Sequence, residues 1–133
     1  MKLNASKLQW ILIAVFVALF GWNQLQAAQG IDVKQAQTMQ QQGALLLDVR
    51  ESSEYAEVHA PNVTLIPLGE LSARLNEIAP FKDKPIAVMC RSGKRSAKAV
   101  ALLEAAGYSQ VSNVSGGMNA WESAGLEVVR GKP

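Results

Sequence analysis

The only thiol in this 133-residue chain is Cys90, and its neighbours suit chemistry better than packing. The apolar run Ile86-Ala87-Val88-Met89 delivers it to the stretch Arg91-Ser92-Gly93-Lys94-Arg95-Ser96. The thiolate, not the thiol, is the nucleophile, and it forms where positive potential surrounds the sulfur. Gly93 lets the chain curl tightly. Such a curl turns successive backbone N–H groups toward one centre, and the start of the following helix adds positive potential. Arg91, Lys94 and Arg95 add full charges. The same cradle would bind an anion with sulfur or phosphorus at its centre. A cysteine that merely fills a core needs no ring of cations. Cys90 is therefore the candidate nucleophile, and Arg91, Ser92, Gly93, Lys94, Arg95 and Ser96 form the candidate substrate-binding loop.

The surrounding elements must place that loop. Asp32 caps a helix over 33–42 that Gly43 closes. Ala44 to Val49 is a short apolar run interrupted only by Asp48, as expected of a strand buried on both faces. A short helix starts at Ser52 or Ser53 and runs to Glu57, and His59-Ala60-Pro61-Asn62 is a turn. A second strand covers Val63 to Ile66. Leu68, Leu71, Leu75 and Ile78 recur at spacings of three and four, which predicts an amphipathic helix over 68–78. A third strand, Ile86 to Met89, ends at Cys90. An alanine-rich helix over 96–106 follows, with Gly107 at its C-cap position. Val111 to Val114 is a fourth strand, Met118 to Ser123 a short helix, and Leu126 to Val129 an extended segment. The alternation predicts an α/β fold with a mainly parallel central sheet flanked by helices. Ligands in such folds bind beyond the carboxyl ends of the strands, which is where Cys90 falls.

At these residues the sequence resembles a known family. The loop Cys90 to Ser96 resembles the active-site loop of the rhodanese-like sulfurtransferases. Leu47-Asp48-Val49-Arg50-Glu51-Ser52-Ser53-Glu54-Tyr55 is similar to the family's Asp-Val-Arg segment and the Glu-Tyr that follows it. Gly116-Gly117-Met118-Asn119-Ala120-Trp121-Glu122-Ser123-Ala124-Gly125-Leu126 is similar to its closing Gly-Gly, Trp and Gly-Leu segment. The resemblance covers about residues 31–130, a single domain. It departs from the family at Val58, Ala60 and Asn62, around the matching His59 and Pro61. It implies transfer of sulfane sulfur from an anionic donor such as thiosulfate to cyanide or a thiol, through a persulfide on Cys90. It implies no cofactor and no metal. Asp48 and Arg50 are expected near the loop in a supporting role, and His59 is expected to be structural. One rival is a persulfide carrier or binding module serving a protein partner. Another is a cysteine phosphatase or arsenate reductase. Phosphatases of a related fold use Cys-x5-Arg, whereas Arg95 here makes Cys-x4-Arg, one residue short.

Residues 1–28 read differently. Lys2 and Lys7 precede the uncharged block Trp10 to Trp22, and the first acidic residue is Asp32. This is the layout of an export signal. The rival is an N-terminal apolar helix retained as an inner-membrane anchor through residues 8–25. The 13-residue block would span roughly 20 Å as a helix, against a bilayer core of about 30 Å. Both alternatives place the domain on the periplasmic side. Of the chain's 13 basic residues, two lie in this segment, leaving 11 to balance 11 acids. A neutral domain is not a nucleic-acid binder. A single cysteine also excludes an intrachain disulfide.

Overall fold

The computed structural model describes residues 4–7, 9–14 and 30–131. Helix α1 (Val33–Gln41) begins with a reciprocal cap: the Asp32 carboxylate accepts the Gln35 N–H, and the Gln35 side chain accepts the Asp32 N–H. Two donors that a helix start leaves unpaired are thereby satisfied. Strands β1 (Leu45–Asp48), β2 (Thr64–Leu65), β3 (Ile86–Met89) and β4 (Val111–Asn113) form one sheet in the order β2-β1-β3-β4. All its pairings are parallel. Helix α2 (Ser52–Glu57) follows β1, α3 (Lys94–Ala105) follows β3, and α4 (Gly117–Ser123) follows β4.

Strand alternation sends successive side chains to opposite faces. Leu45, Leu47, Val49, Ile86, Val88 and Cys90 pack on one face with Ala99 and Leu103 of α3. Leu46, Ala87 and Met89 pack on the other with Val33 and Ala36 of α1 and with Met118 and Trp121 of α4. Both faces are covered, which is why Leu45–Leu47 of β1 and Ile86–Met89 of β3 read as unbroken apolar runs. The strand order reverses direction between β1 and β3, and Asp48 pairs with Met89 there. Cys90 therefore leaves the sheet at the point where crossovers diverge and a crevice opens.

The segment 68–78 is not one amphipathic α-helix. It forms two 3-10 segments, Leu68–Glu70 and Ser72–Glu77, and a third, Ala79–Phe81, follows it. Pro67 and Gly69 weaken its start, Arg74 departs from helical dihedrals (φ −118°, ψ 17°), and Pro80 lies in the last turn. Leu71 and Ile78 still turn inward, both fully buried. Helix α3 starts at Lys94, two residues before the expected Ser96. The extended segment near the C-terminus forms one antiparallel bridge, between Val129 and His59, and its Glu127 carbonyl accepts the Trp121 indole N–H.

Residues 5–7 and 9–14 are helical, with Trp10, Ile11, Leu12 and Ile13 exposed. Among the described residues no helix is long and apolar enough to cross a membrane. The rest of the expected signal or anchor lies outside the described residues.

Candidate active site

Cys90 sits at the carboxyl end of β3, only 1% exposed. Its backbone is held from the far side by α4. The Met118 N–H donates to the Cys90 carbonyl at 2.8 Å, and the Asn119 N–H donates to that of Arg91 at 3.1 Å. This approach is closed to any side chain at Gly117, where a Cβ would lie 2.1 Å from the Cys90 carbonyl oxygen. The chain then reverses at Gly93, whose φ of +112° is natural only to glycine. The reversal aims the Gly93 N–H at the Cys90 sulfur, 3.1 Å away. The Ser96 hydroxyl lies 3.4 Å from the same sulfur, and Ser96 itself is fully buried.

Burial alone pushes the Cys90 thiol up. Hydrogen bonding with the Ser96 hydroxyl and bonds from the backbone N–H groups of Ser96, Gly93 and Ser92 outweigh it and hold the thiol below its ordinary value. The amide cradle expected from the sequence is thus centred on the sulfur itself. Two of the loop cations also have a partner of their own. Glu54, from α2, grips the Arg95 guanidinium with both oxygens at 2.5 and 2.9 Å and also takes a bond from Arg91 at 3.2 Å. The Arg95 bonds are the main reason the Glu54 carboxyl falls to about 2. Two of the three loop cations are therefore answered by an acid 37 and 41 residues upstream. Lys94 and Ser92 stand exposed at the rim.

Asp48 and Arg50 form a buried ion pair beside the loop, with Asp48 fully enclosed and Arg50 1% exposed. Arg50 binds both Asp48 oxygens through Nε and Nη2 and caps the Val58 carbonyl at 2.7 Å. All this ties the end of β1 to the end of α2, and no bond of either residue reaches the sulfur. His59 is buried, its ring Nδ1 paired with the Tyr55 carbonyl at 2.8 Å, and it stacks on the Tyr55 ring with centroids 3.7 Å apart. That is a packing role. Among the described residues no cluster of His, Cys, Asp or Glu could hold a metal ion.

Two residues of the site escaped the reading of the sequence. Glu54 was visible only as part of a Glu-Tyr pair. Asn113, near the end of β4, accepts a 2.6 Å bond from the Ser96 hydroxyl and donates to the Gly93 carbonyl at 3.1 Å. Its signal was a polar amide within the expected strand Val111 to Val114.

A parallel α/β domain with a cysteine cradled by backbone amides at a strand's carboxyl end defines a class of thiol-dependent transfer proteins. Residues 32–124 match the rhodanese-like domain. The chain is 33% identical over 93 residues to the thiosulfate sulfurtransferase GlpE of Pseudomonas syringae pv. syringae, covering 70% of this chain and 86% of that protein. It is 42% identical over 76 residues to YrkF of Bacillus subtilis, a relative named for sulfur carriage; this covers 57% of this chain and only 40% of that longer protein. Among solved structures, a rhodanese-related protein from Thermoplasma volcanium superposes with a TM-score of 0.68 at 32% identity, covering 75% of this chain and 96% of that one. The chain belongs to the rhodanese-like domain family.

Proposed function

We propose that this protein is a sulfurtransferase that moves sulfane sulfur through a persulfide on Cys90. The observation that carries this reading is the sulfur of Cys90 set among the Gly93 amide, the Ser96 hydroxyl and the neighbouring loop amides. In the first step the Cys90 thiolate attacks the outer sulfur of thiosulfate. A sulfur–sulfur bond forms to Cys90, the bond to the sulfonate sulfur breaks, and sulfite leaves with its electron pair. The loop amides that stabilise the thiolate also stabilise the persulfide anion. In the second step cyanide or a thiolate attacks the terminal sulfur, and the Cys90 thiolate is restored. Lys94 at the rim attracts the anionic donor.

The experiment is a thiosulfate:cyanide assay beside intact-protein mass spectrometry. The wild type is expected to gain one sulfur atom and to turn over. Cys90→Ser is expected to fold and to do neither. Turnover by Cys90→Ser at the wild-type rate would refute the assignment. A carrier that delivers its persulfide to one protein partner is the second reading, supported by the resemblance to YrkF. Loading without turnover on small thiols selects it. Phosphoryl transfer fits less well, because Glu54 already occupies the Arg95 guanidinium.

We also propose that the domain acts outside the cytoplasm, exported or anchored through residues 1–28. Cell fractionation with N-terminal sequencing tests this; uncleaved chain recovered from the cytoplasm overturns it.

A further inference from the structure

The sulfur of Cys90 belongs to a closed ring of contacts. Gly93 N–H points to the sulfur at 3.1 Å, the Ser96 hydroxyl faces it at 3.4 Å, and Asn113 binds both of those residues. The orientation of the Asn113 amide is fixed by chemistry. Its Nδ2 faces the Gly93 carbonyl, an acceptor only, so Oδ1 must be the atom that meets Ser96 at 2.6 Å. Oδ1 can only accept, so the Ser96 hydroxyl must donate. A hydroxyl has one proton. While that proton sits on Asn113, the hydroxyl offers the sulfur a lone pair, which suits a thiol S–H. A thiolate or a persulfide anion needs the proton itself.

We propose that Asn113 is a positioning residue for the sulfur chemistry: it places the Ser96 hydroxyl and the Gly93 peptide against the sulfur, and it competes with the sulfur for the Ser96 proton. As the thiol ionises, the Ser96 proton turns from Asn113 Oδ1 to the sulfur; as the thiol re-forms, it returns. The inference rests on Cys90 being the nucleophile, and it adds a means of sharing one proton between two states of the sulfur. The charged groups around the sulfur are Arg95 on α3, which interacts with both Cys90 and Asp48, and the partners Arg50, Glu54 and Arg91. None of them makes a side-chain hydrogen bond to Asn113, so they form a constant background in the comparison below.

The test is the rate of alkylation of Cys90 by iodoacetamide at pH 7, for wild type, Ser96→Ala, Asn113→Asp and the double variant. An aspartate keeps an acceptor beside Ser96 and binds its proton more firmly, so Asn113→Asp is expected to slow alkylation. The new charge alone would slow it equally with or without the serine. Action through the Ser96 proton instead makes the effect smaller in the Ser96→Ala background, with a departure from additivity of about threefold or more. Additive effects would overturn the inference. Should the aspartate prevent folding, the neutral Asn113→Ala in the same cycle is read by the same threshold. A role limited to holding the fold would lower the melting temperature and leave the cycle additive. Alkylation needs no sulfur donor. Failure of the thiosulfate assay would therefore count against the proposed function and leave this result standing, and the reverse also holds.

Discussion

At Cys90 the decisive neighbour is a peptide N–H, and the position of that N–H depends on one dihedral angle. Gly93 holds φ at +112°, yet a Cβ there would meet nothing closer than 3.8 Å. The obstacle to a side chain is backbone strain, not crowding. Gly93→Ala should therefore cost about 1–2 kcal/mol. Relief of that strain turns the N–H away from the sulfur and removes a bond that favours the thiolate. Alkylation at pH 7 should then slow, because the thiolate has lost one of the hydrogen bonds that favour it. Gly43→Ala is the control: it has a similar φ of +98° and open space, and lies in the turn after α1. It should cost similar stability in urea melts and leave alkylation unchanged. Equal loss of reactivity in both variants would remove Gly93 from the site. Asp48 and Arg50, by contrast, make no hydrogen bond to the sulfur. Each satisfies the other, and what they secure is the path of the chain after β1.

Between elements, the junction that matters joins α2 to the loop through Glu54. Ser52 and Glu54 lie in a short helix whose only claim on the site is this carboxylate between two arginines. Its low pKa has a definite consequence for stability. The folded-state carboxyl titrates at about 2, against 4.5 ordinarily. A depressed carboxyl stabilises the fold fully above the ordinary value, and the contribution is lost as pH falls toward 2. Glu54→Gln should be less stable than wild type by about 1 kcal/mol at pH 7, the range of a partly exposed ion pair. The gap should narrow steadily between pH 4.5 and pH 2, as followed by urea denaturation across that window. A gap that stays constant with pH would mean the ion pair contributes nothing. The same junction marks where the sequence stopped being legible. Cys90 to Ser96 could be read because its chemistry is contiguous, and β1 and β3 because burial on both faces leaves an apolar run. Glu54, 36 residues before Cys90, and Asn113, 23 residues after it, meet the loop only once the strands are in register. The turns at 68–78 misled for another reason. The 3-10 and α repeats both return apolar side chains to one side every third or fourth residue, and Arg74's ion pairs with Glu70 and Glu77 suit either.

Across the whole molecule, the sheet separates two apolar layers that share no side chains. Leu47 and Cys90 lie in one, Leu46 and Trp121 in the other. The layers are linked because consecutive residues of the same strand feed both, so neither can loosen without disturbing β1 and β3. Unfolding should accordingly be a single cooperative step, as for most single domains of this size. Trp121 and Leu103 report the two sides. The Trp121 indole N–H donates to the Glu127 carbonyl at 2.8 Å in the α4 layer, and Leu103 is fully buried in the α3 layer. The native NMR signals of the Trp121 indole N–H and the Leu103 methyls should disappear at the same urea concentration. The C-terminal segment is tied to the same layer through the Val129 bridge to His59 and the Glu127 bond to the Trp121 indole, so it is expected to change together with Trp121. Persistence of the Leu103 signals after Trp121 has been lost would show the layers to be independent. The loop at Cys90, held by α3 on one side and α4 on the other, would then lose half of its support while the α3 layer was still folded.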